Sequence, residues 1–589
     1  MINKTLVTTA LESTWPKEGP ILFLGSWCCS FSRKSYWSSL DFKISQYHWD
    51  DRKKLYHDYK NLEQIYEQYL TEFVSKLNNI HGTDFSERFW RILIGPWLFT
   101  CIQVIFDRWY MLNEVSKKDE SLKLNILQNY TQSLLVNDMD GFNQAIETDI
   151  WNEALYSLIA DKFFSTKFII SSTGEYDLSE ESIKNVKTKK FSIKKLIKKF
   201  SNTISSIFLG DKSVFIIAPH MSIFKLIFLQ IKLKQFPAIW YRDDTDFDYN
   251  ETSPLRENTL FICKPGLIDG FEDVLGQIIF KLIPKIYLEG FKTLVESSKS
   301  QGWPKSPVSI FTSNAYASDE VFKFWSAQQI ESGSKLVIGQ HGGNFGMTPM
   351  AIHESHQIKI SNKWLSWGWN DKYESKVMPV GNFKSKHTKI RNKSNGDALM
   401  ALMTLPKYSY YLYSVPIAGQ VENYFNDQFK FAEALPNHIR NNLKVRVYPK
   451  DREWDQKNRW KSKFHDINFD DNKNSLRDSL KKSRIFIGTY NATTYLETFS
   501  ANMPSILFWN PEHWEINNQA NDFFMSLKRV GVLHFSPEDA AKHLTAIWDN
   551  VDEWWFSEKV QSVINDFNNQ YSKYNPQVIG KIANNLIME

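Results

Sequence analysis

The sequence has few cysteines and little net charge. Its four cysteines, Cys28, Cys29, Cys101 and Cys263, form neither a disulfide framework nor a metal-binding spacing, and they suit a reducing cytosol. The formal net charge is only +5 over 589 residues, which does not indicate a nucleic-acid-binding protein. We therefore predict a cytoplasmic protein with no nucleic-acid partner.

The sequence also lacks a secretory signal and a long apolar run. Residues 1–14 show no cationic start followed by an apolar core. The most apolar long window, 92–106, is shorter than the roughly 18 residues that a membrane span needs. It contains Gly95-Pro96 and lies between Arg91 and Asp107, so it predicts a buried helix and not a membrane span.

The composition is that of a folded protein with more than one domain. Hydrophobic residues make up 42% of the chain and aromatic residues 15%. A chain of 589 residues exceeds the size of a single hydrophobic core. Strand-like apolar runs alternate with helical periodicity, which predicts an α/β fold of two Rossmann-like, doubly wound domains. The expected domains are 1–383 and 398–589, with a polar linker at 384–397 and a large helical insertion at about 51–205.

Short apolar runs that end in glycine or polar loops predict the strands of both sheets. In the N-terminal domain these runs are 5–9, 21–25, 214–218, 238–241, 308–312, 335–339, 364–369 and 377–380. In the C-terminal domain they are 398–403, 444–448, 485–487 and 505–509. Ligands of such folds bind at the carboxyl ends of the strands, so the loops that follow them are the candidate site.

The segment 184–200 is strongly basic and contains eight lysines. Ile193, Leu196, Ile197 and Phe200 recur within it at helical spacing. A basic amphipathic helix of this kind can lie on an anionic membrane surface, which predicts a possible membrane contact here. The alternative is a charged surface helix that docks on its own domain.

The stretch 485–509, IFIGTYNATTYLETFSANMPSILFW, predicts a strand, a hydroxyl-rich turn, a helix and a second strand. Such a turn places hydroxyls beside the free N–H groups of a helix N-terminus, which is a favourable site for a phosphate. The alternative is a well-capped unit that binds no ligand. The candidate phosphate and donor ligands in this stretch are Gly488, Thr489, Asn491, Thr493, Thr494 and Glu497.

A glycine-rich loop follows the predicted strand 335–339 and begins Gln340-His341-Gly342-Gly343. Gly342 and Gly343 allow the backbone to approach a ligand closely. His341 can donate a proton or a hydrogen bond to a phosphate or a sugar hydroxyl. The spacing matches neither a GxGxxG dinucleotide loop nor a Walker loop. The alternative is a glycine turn with a capping histidine.

Basic residues follow the predicted strand 444–448. Lys450 and Arg452 can pair with a nucleotide phosphate, and Glu453 can accept hydrogen bonds from sugar hydroxyls. Surface ion pairs are the alternative for charged loop residues.

Carboxylates that follow predicted strands of the N-terminal domain are candidates for a general base. Glu12 shares the first strand-end loop with Ser13, Thr14 and Trp15, so it is preferred over Asp51. A carboxylate at a helix start, such as Asp51, often serves as a cap. No HExxH or CxxC motif is present. The D-x-D spacing in 244–248 could hold a hard divalent cation, but so short an acidic run is common by chance and favours a solvated acidic loop, so no metal is predicted.

Several long motifs of the chain form a recognisable set: LVTTALESTWP, ILFLGSWC, YHWDDR, FWRILIGPWL, IGQHGGNFG, WLSWGW and TTYLETFSANMPSILFWNPEHWE. They resemble one family of transferases found in bacterial O-antigen and surface-polysaccharide gene clusters. The resemblance runs from about Thr5 to Ala540. The two-domain layout is similar to that of GT-B glycosyltransferases, in which the C-terminal domain holds the nucleotide sugar, commonly without a metal.

The resemblance extends to single positions. Tyr448-Pro449 looks like the His-Pro motif of GT-B enzymes that use CMP-activated acids, with Tyr448 in place of the histidine. It also implies that His341 lies near the donor phosphate or the reacting sugar, and that 488–494 is the phosphate loop.

The implied function is sugar transfer in surface-polysaccharide biosynthesis, from a nucleotide-sugar donor to a glycan or lipid-linked acceptor. The implied enzyme needs no cofactor and is cytoplasmic, with a peripheral position on the inner face of the membrane. The alternatives are a polyol-phosphate transferase or a nucleotide-sugar epimerase on the same fold, and a non-catalytic carbohydrate-binding assembly protein.

Overall fold

The chain folds as two compact units. Unit one comprises residues 1–218, 235–336 and 408–412, and unit two comprises 219–234, 337–407 and 413–589. These units divide the chain differently from the predicted boundary, because the predicted linker 384–397 and the glycine loop before it both belong to unit two. The computed structural model describes residues 4–118, 122–172, 213–241, 252–261 and 266–587, with the single residues 202, 205, 209 and 249.

Unit one contains a parallel sheet in the order β3-β2-β1-β4-β5. This is the strand order of a doubly wound nucleotide-binding fold. A further parallel pair in this unit joins β6 (Val214–Ile216) to β7 (Ser309–Thr312). The strands of the sheet are β1 (Thr5–Val7), β2 (Ile21–Phe23), β3 (Phe42–Ile44), β4 (Lys123–Ile126) and β5 (Ile169–Ser172).

The range 51–205 is not a purely helical insertion, which corrects the prediction. The strands β4 and β5 lie inside it, and β4 pairs directly with β1. The strand predicted at 238–241 is also wrong, since those residues are irregular. Ala238 and Trp240 are nevertheless buried, and the Trp240 ring packs 5.0 Å from that of Phe215, so side-chain packing explains the apolar run.

The helices are numbered in chain order across both units. Those before residue 340 are α1 (Lys34–Trp37), α2 (Arg52–His81), α3 (Glu87–Lys118), α4 (Tyr130–Leu134), α5 (Met139–Ala145), α6 (Asp149–Phe163), α7 (Ile223–Lys232), α8 (Leu255–Asn258), α9 (Phe271–Ile278), α10 (Phe291–Lys299) and α11 (Glu320–Glu331). Those after it are α12 (Ile352–Ile360), α13 (Val421–Ala434), α14 (Asn437–Arg440), α15 (Gln456–Lys463), α16 (Leu476–Leu480), α17 (Thr493–Ser500), α18 (Asn518–Arg529), α19 (Pro537–Ile547), α20 (Val551–Trp555), α21 (Glu558–Tyr571) and α22 (Val578–Ile587).

Helix α3 is apolar along most of its length. Among the described residues, it is the helix whose length and composition would allow it to cross a membrane, and its apolar window is entirely buried inside the protein. It packs beside α2 in unit one, and Trp90 and Trp97 are fully buried. The prediction of a buried helix at 92–106 is therefore confirmed.

Unit two contains two parallel sheets. In the smaller one, β9 (Lys363–Ser366) lies between β8 (Lys335–Gly339) and β10 (Val377–Pro379). The larger one has the order β13-β12-β11-β14-β15-β16, and all its pairs are parallel. The fold is therefore mixed α/β with parallel sheets, as predicted. The larger sheet consists of β11 (Asp397–Ala401), β12 (Leu443–Arg446), β13 (Asn468–Phe469), β14 (Ser483–Gly488), β15 (Ser505–Phe508) and β16 (Leu533–His534).

Helices cover both faces of the larger sheet. On one face, Met400 and Ile487 pack in a buried cluster with Phe431 of α13. On the other, α17 packs against α21, where the rings of Phe499 and Phe567 lie 5.8 Å apart. Because both faces are covered, the two central strands are apolar over Ala398–Ala401 and Ile485–Ile487, and their polar residues Asp397, Ser483 and Arg484 lie where the strands begin.

Candidate functional site

The candidate site lies in unit two at the carboxyl ends of β11 and β14. These neighbouring strands pair in register from Ala398 and Ile485 to Ala401 and Gly488. The strand order reverses between them, which makes this the switch point at which doubly wound folds bind ligands. The turn 489–492 leaves β14 here, and α17 begins at Thr493. The predicted strand–turn–helix–strand unit is thus confirmed.

Gly488 is required by packing at the end of β14. A Cβ atom at this position would lie 2.6 Å from Leu507 Cδ2 of β15 and 3.0 Å from Phe486 Cε1. This glycine thus serves the close packing of the sheet, and its predicted role in donor binding stays a prediction.

Thr489 braces the turn, and its predicted role in donor binding stays a prediction. Met403 N–H donates to Tyr424 Oη at 3.0 Å, and Tyr424 Oη lies 2.7 Å from Thr489 Oγ1. Thr489 Oγ1 in turn donates to the carbonyl of Ala401 at 2.9 Å. The hydroxyl is buried, so this chain of hydrogen bonds ties the turn to β11.

The neighbouring polar residues of the turn also have local partners. Asn491 is buried, and its Oδ1 accepts a hydrogen bond from Tyr495 Oη at 3.0 Å. The hydroxyls of Thr494 and Tyr490 share a short hydrogen bond. Of the predicted hydroxyls, Thr493 is the one that reaches the glycine loop.

The glycine loop 340–346 contacts Thr493, the residue that follows the turn 489–492 and begins α17. Gly343 N–H donates to Thr493 Oγ1 at 2.8 Å. A Cβ atom on Gly343 would lie 2.4 Å from the carbonyl carbon and oxygen of Ala492, and one on Gly342 would lie 3.4 Å from Thr493 Oγ1. The structure therefore brings together two predicted loops that are 150 residues apart in the chain, and Gly343 makes their close approach possible.

Gln340 anchors the start of the glycine loop, a role that was not predicted. The side chain is buried, and its Oε1 accepts hydrogen bonds from Trp367 N at 2.8 Å and from Trp369 Nε1 at 3.1 Å. Its Nε2 donates to the carbonyl of Gly342 at 2.9 Å. The amide thus fixes the backbone on both sides of His341.

Gly346 anchors the end of the loop. Its N–H donates to Glu354 Oε2 at 2.8 Å, and its carbonyl accepts from Asn517 Nδ2 at 3.1 Å. Gly346 has a φ of +72°, and a Cβ would lie 2.4 Å from the Trp369 ring, so only glycine fits. Burial raises the pKa of the Glu354 carboxyl to about 8, against the opposing effect of the Gly346 N–H.

Lys384 brings a cation to the junction. Its Nζ lies 3.6 Å from Glu497 Oε1 and 3.4 Å from the carbonyl oxygen of His341. In the sequence, Lys384 begins a polar, basic stretch that predicts a linker. Its contacts with Glu497 and His341 were therefore not predicted. His341, Lys384 and Glu497 thus surround the Gly343–Thr493 contact.

His220 lies beside His341 and is a second residue that was not predicted. The two ring centroids are 5.8 Å apart. His220 is exposed and has a φ of +50°, a conformation that non-glycine residues seldom adopt and that is enriched at functional sites. The sequence offered one signal for His220: it follows the predicted strand 214–218, and the loops after other predicted strands carry candidate site residues.

A model of the LIC12162 family transferases matches residues 4–586. The chain belongs to the LIC12162 transferase family. The match covers the Gly343–Thr493 junction and both histidines, and it confirms the resemblance to a transferase family. No curated protein matches the sequence.

Solved structures that resemble this LIC12162-family chain include glycosyltransferases. The WaaG structure, a glycosyltransferase involved in lipopolysaccharide biosynthesis, is 10% identical with a TM-score of 0.28, over 52% of this chain and 83% of WaaG. MurG of Acinetobacter baumannii is 12% identical with a TM-score of 0.32, over 64% and 99%. MnaA of S. aureus in complex with UDP is 12% identical with a TM-score of 0.36, over 64% and 98%. With all three TM-scores below 0.5, function has to be argued from the chain's own residues.

The predicted basic loop of this family member contacts another strand-end loop of unit two. Thr404 Oγ1 donates to the carbonyl of Asp451 at 3.0 Å, and Lys407 Nζ lies 2.6 Å from Glu453 Oε2. Arg452 and Glu453 have φ values of +55° and +65°, so this turn is strained. Glu453 is thus ion-paired. The ligand roles of Tyr448, Lys450 and Arg452 stay predictions.

The two predicted carboxylates of unit one make structural contacts. Glu12 accepts hydrogen bonds from Arg33 Nε at 2.6 Å and Nη2 at 2.8 Å. Asp51 accepts from the N–H groups of Lys53 at 2.9 Å and Lys54 at 3.1 Å, so it is the N-cap of α2. Asp51 therefore acts as a helix cap, which was the alternative to a catalytic role. The ion pair with Arg33 occupies both carboxylate oxygens of Glu12.

A buried carboxyl of the same unit was not predicted. Glu153 lies next to the end of β1, where its Oε2 accepts hydrogen bonds from Thr8 Oγ1 at 2.7 Å and Thr9 Oγ1 at 2.5 Å. Burial raises the pKa of Glu153 to about 7, and the two hydroxyls hold it below a still higher value. A single glutamate in an apolar helix is a weak signal, because its partners lie 144 and 145 residues away.

Metal and membrane predictions fall partly outside the described residues. Within the described residues, no group of three or more His, Cys, Asp or Glu side chains is placed to hold a metal ion. The D-x-D segment 244–248 and the basic segment 184–200 both lie outside the described residues.

Proposed function

We propose that this protein is a glycosyltransferase of the GT-B type that binds a nucleotide-sugar donor in unit two. The observation that carries the proposal is the contact of Gly343 N–H with Thr493 Oγ1 at the start of α17. Two loops from two parallel sheets converge on a helix N-terminus at the switch point of the larger sheet, which is where a nucleotide phosphate is best stabilised.

The donor diphosphate would lie against the first turn of α17. The backbone N–H groups of the first turn of α17 carry the positive end of the helix dipole. Lys384 adds a full positive charge within the same cluster. When the bond between the sugar and the phosphate breaks, negative charge develops on the leaving phosphate, and preorganised N–H groups and a cation stabilise it. The donor is then a substrate, and the proposal includes no metal or other cofactor.

The two histidines, His220 and His341, would position the reacting groups and accept the proton that the acceptor hydroxyl loses. Gln340 fixes the backbone on both sides of His341, which keeps this residue beside the proposed phosphate site. His220 is exposed beside it and can accept the proton of an acceptor hydroxyl. Glu12 of unit one stays a candidate for the same base if its ion pair with Arg33 opens.

The acceptor would be a glycan or a lipid-linked glycan of surface-polysaccharide biosynthesis. The motif resemblance to transferases of O-antigen and surface-polysaccharide clusters supports this pathway. Such an enzyme would act in the cytoplasm, at the inner face of the membrane. A nucleotide-sugar epimerase would convert the donor without an acceptor, a polyol-phosphate transferase would release CMP from a CDP-linked donor, and a binding protein would leave the donor unchanged.

The first test is a thermal-shift panel with CMP, UDP, GDP, CDP and dTDP. A nucleotide at 100 times its Kd adds about 2.7 kcal/mol to the stability of the folded state. We expect one of the nucleotides to stabilise the wild type and to lose most of this effect in Thr493→Val. The matched control is Thr545→Val on α19, whose hydroxyl bonds only its own helix at Ala541 O. A shift retained in Thr493→Val would place the nucleotide elsewhere.

A further inference from the structure

Helix α7, residues Ile223–Lys232, is apolar on two opposite sides. One side is buried in unit two through Leu226 and Leu229, where α7 packs against α22. The other side leaves Phe224 81%, Phe228 51% and Ile231 57% exposed. These three side chains are spaced i, i+4 and i+7, so they form one continuous stripe on consecutive turns.

A stripe of this kind needs a partner. Single exposed apolar residues are normal on protein surfaces, but contiguous patches mark interaction sites. A soluble surface helix has a polar outer face, and here both faces are apolar. With ten residues, α7 is too short to cross a bilayer, which needs about 20, so its outer face can at most lie in a membrane interface.

The charges around the stripe select the partner. The sequence from Ser213 to Tyr241 contains no Asp or Glu. Lys232 and Lys234 are exposed at the end of α7, and Lys232 Nζ lies 5.7 Å from the centre of the Phe228 ring. Aromatic and aliphatic side chains with Lys232 and Lys234 at the end of the same helix match the apolar and anionic layers of a bilayer surface.

We propose that the outer face of α7, made of Phe224, Phe228 and Ile231 with Lys232 and Lys234, docks the protein on an anionic lipid membrane. This surface is distinct from the segment 184–200, and its lipid binding does not depend on the donor site. It builds on the proposed function only in its purpose: the loop with His220 directly precedes α7, so docking would bring that loop to a lipid-linked acceptor.

The test is flotation of the full chain with vesicles of phosphatidylcholine alone and of phosphatidylcholine with phosphatidylglycerol. We expect binding to the anionic vesicles that weakens at high salt. The double variant Phe224→Ser/Phe228→Ser should bind about tenfold or more weakly. The double variant Lys232→Ser/Lys234→Ser should reduce the preference for anionic vesicles. The matched control is Tyr373→Ser, an exposed aromatic (92%) in a loop of the same unit, which should bind as the wild type does.

Three results would overturn the proposal. The first is no binding of the wild type to anionic vesicles, and the second is equal binding of wild type and Phe224→Ser/Phe228→Ser. The third is a loss of thermal stability in that double variant without vesicles, because the stripe would then be covered by the chain itself. The nucleotide shift separates this proposal from the proposed function: Phe224→Ser/Phe228→Ser should keep it, and Thr493→Val should lose it while still floating with vesicles.

Discussion

Gly343→Ala tests whether the two loops of the candidate site must touch. The added Cβ would lie 2.4 Å from the carbonyl carbon and oxygen of Ala492 and 2.6 Å from Thr493 N, all of them backbone atoms that cannot rotate away. The φ of Gly343 is not positive, so alanine can adopt the same backbone conformation and the effect comes from the lack of space alone. The loops must separate by about 1 Å to turn this clash into an ordinary van der Waals contact of about 3.5 Å.

The expected cost follows from two terms. Overpacking costs about 1–3 kcal/mol, and loss of the Gly343–Thr493 hydrogen bond costs about 0.5–1.5 kcal/mol. Together they come to about 1.5–4.5 kcal/mol, unless the loop relaxes and only the hydrogen bond is lost. Relaxation would spare stability but would still open the junction, so nucleotide binding should fall about tenfold or more in either case.

The assay is urea denaturation of the full chain, monitored by tryptophan fluorescence. The nucleotide thermal shift is measured on the same variants. The matched control is Gly580→Ala in α22, where a Cβ has nothing within 4 Å. An alanine in that helix should be neutral or stabilise by about 0.4–1 kcal/mol. If Gly343→Ala matched the wild type in both stability and nucleotide binding, the proposed contact of the two loops would be refuted.

Three further predictions concern single side chains. The pKa of Glu153 in the folded state, about 7, lies above its ordinary value of 4.5, so the stability that its proton provides is complete below about pH 4.5 and is lost as the pH rises through 7. In Glu153→Gln, the amide oxygen can still accept hydrogen bonds from both threonines, but the side chain no longer titrates. The variant should therefore show a smaller fall in Tm between pH 5 and pH 8, and the stability change that it removes is at most about 3 kcal/mol. An unchanged pH profile would contradict this. Asp51→Ala should lower stability by about 1 kcal/mol through the lost cap and leave both nucleotide binding and donor turnover intact, whereas a loss of turnover with binding retained would support its predicted catalytic role. His220→Asn should lower kcat of donor turnover by about 100-fold or more with nucleotide binding retained, and unchanged turnover would remove His220 from the proposed mechanism.

The sequence predicts well what depends on local pattern. The apolar run 485–487, the glycine after it and the hydroxyls that follow predict a strand, a turn and a helix start, and the structure has β14 and α17 there. The alternation of such units predicts the parallel α/β fold. Strand β4 was missed because KLNI is short and half polar, so nothing in its pattern distinguishes it from a loop between helices.

The sequence cannot separate residues that look alike but have different tertiary neighbours. Thr489 and Thr493 are equivalent by pattern, yet Thr489 is used to tie the turn to β11 and Thr493 meets the glycine loop. Lys384 looks like a linker residue, because the contact with Glu497 depends on how unit two folds. The anchoring role of Gln340 likewise depends on hydrogen bonds from Trp367 and Trp369, and no sequence pattern links these residues to the glycine loop.

The most direct test of the central claim is calorimetric titration of the stabilising nucleotide into four variants beside the wild type. The claim is that the Gly343–Thr493 junction holds the donor phosphate. It predicts that Thr493→Val and Gly343→Ala each weaken binding about tenfold or more, while Thr545→Val and Gly580→Ala bind as the wild type does. Equal affinity in all five proteins, or no nucleotide binding by the wild type at all, would contradict the claim.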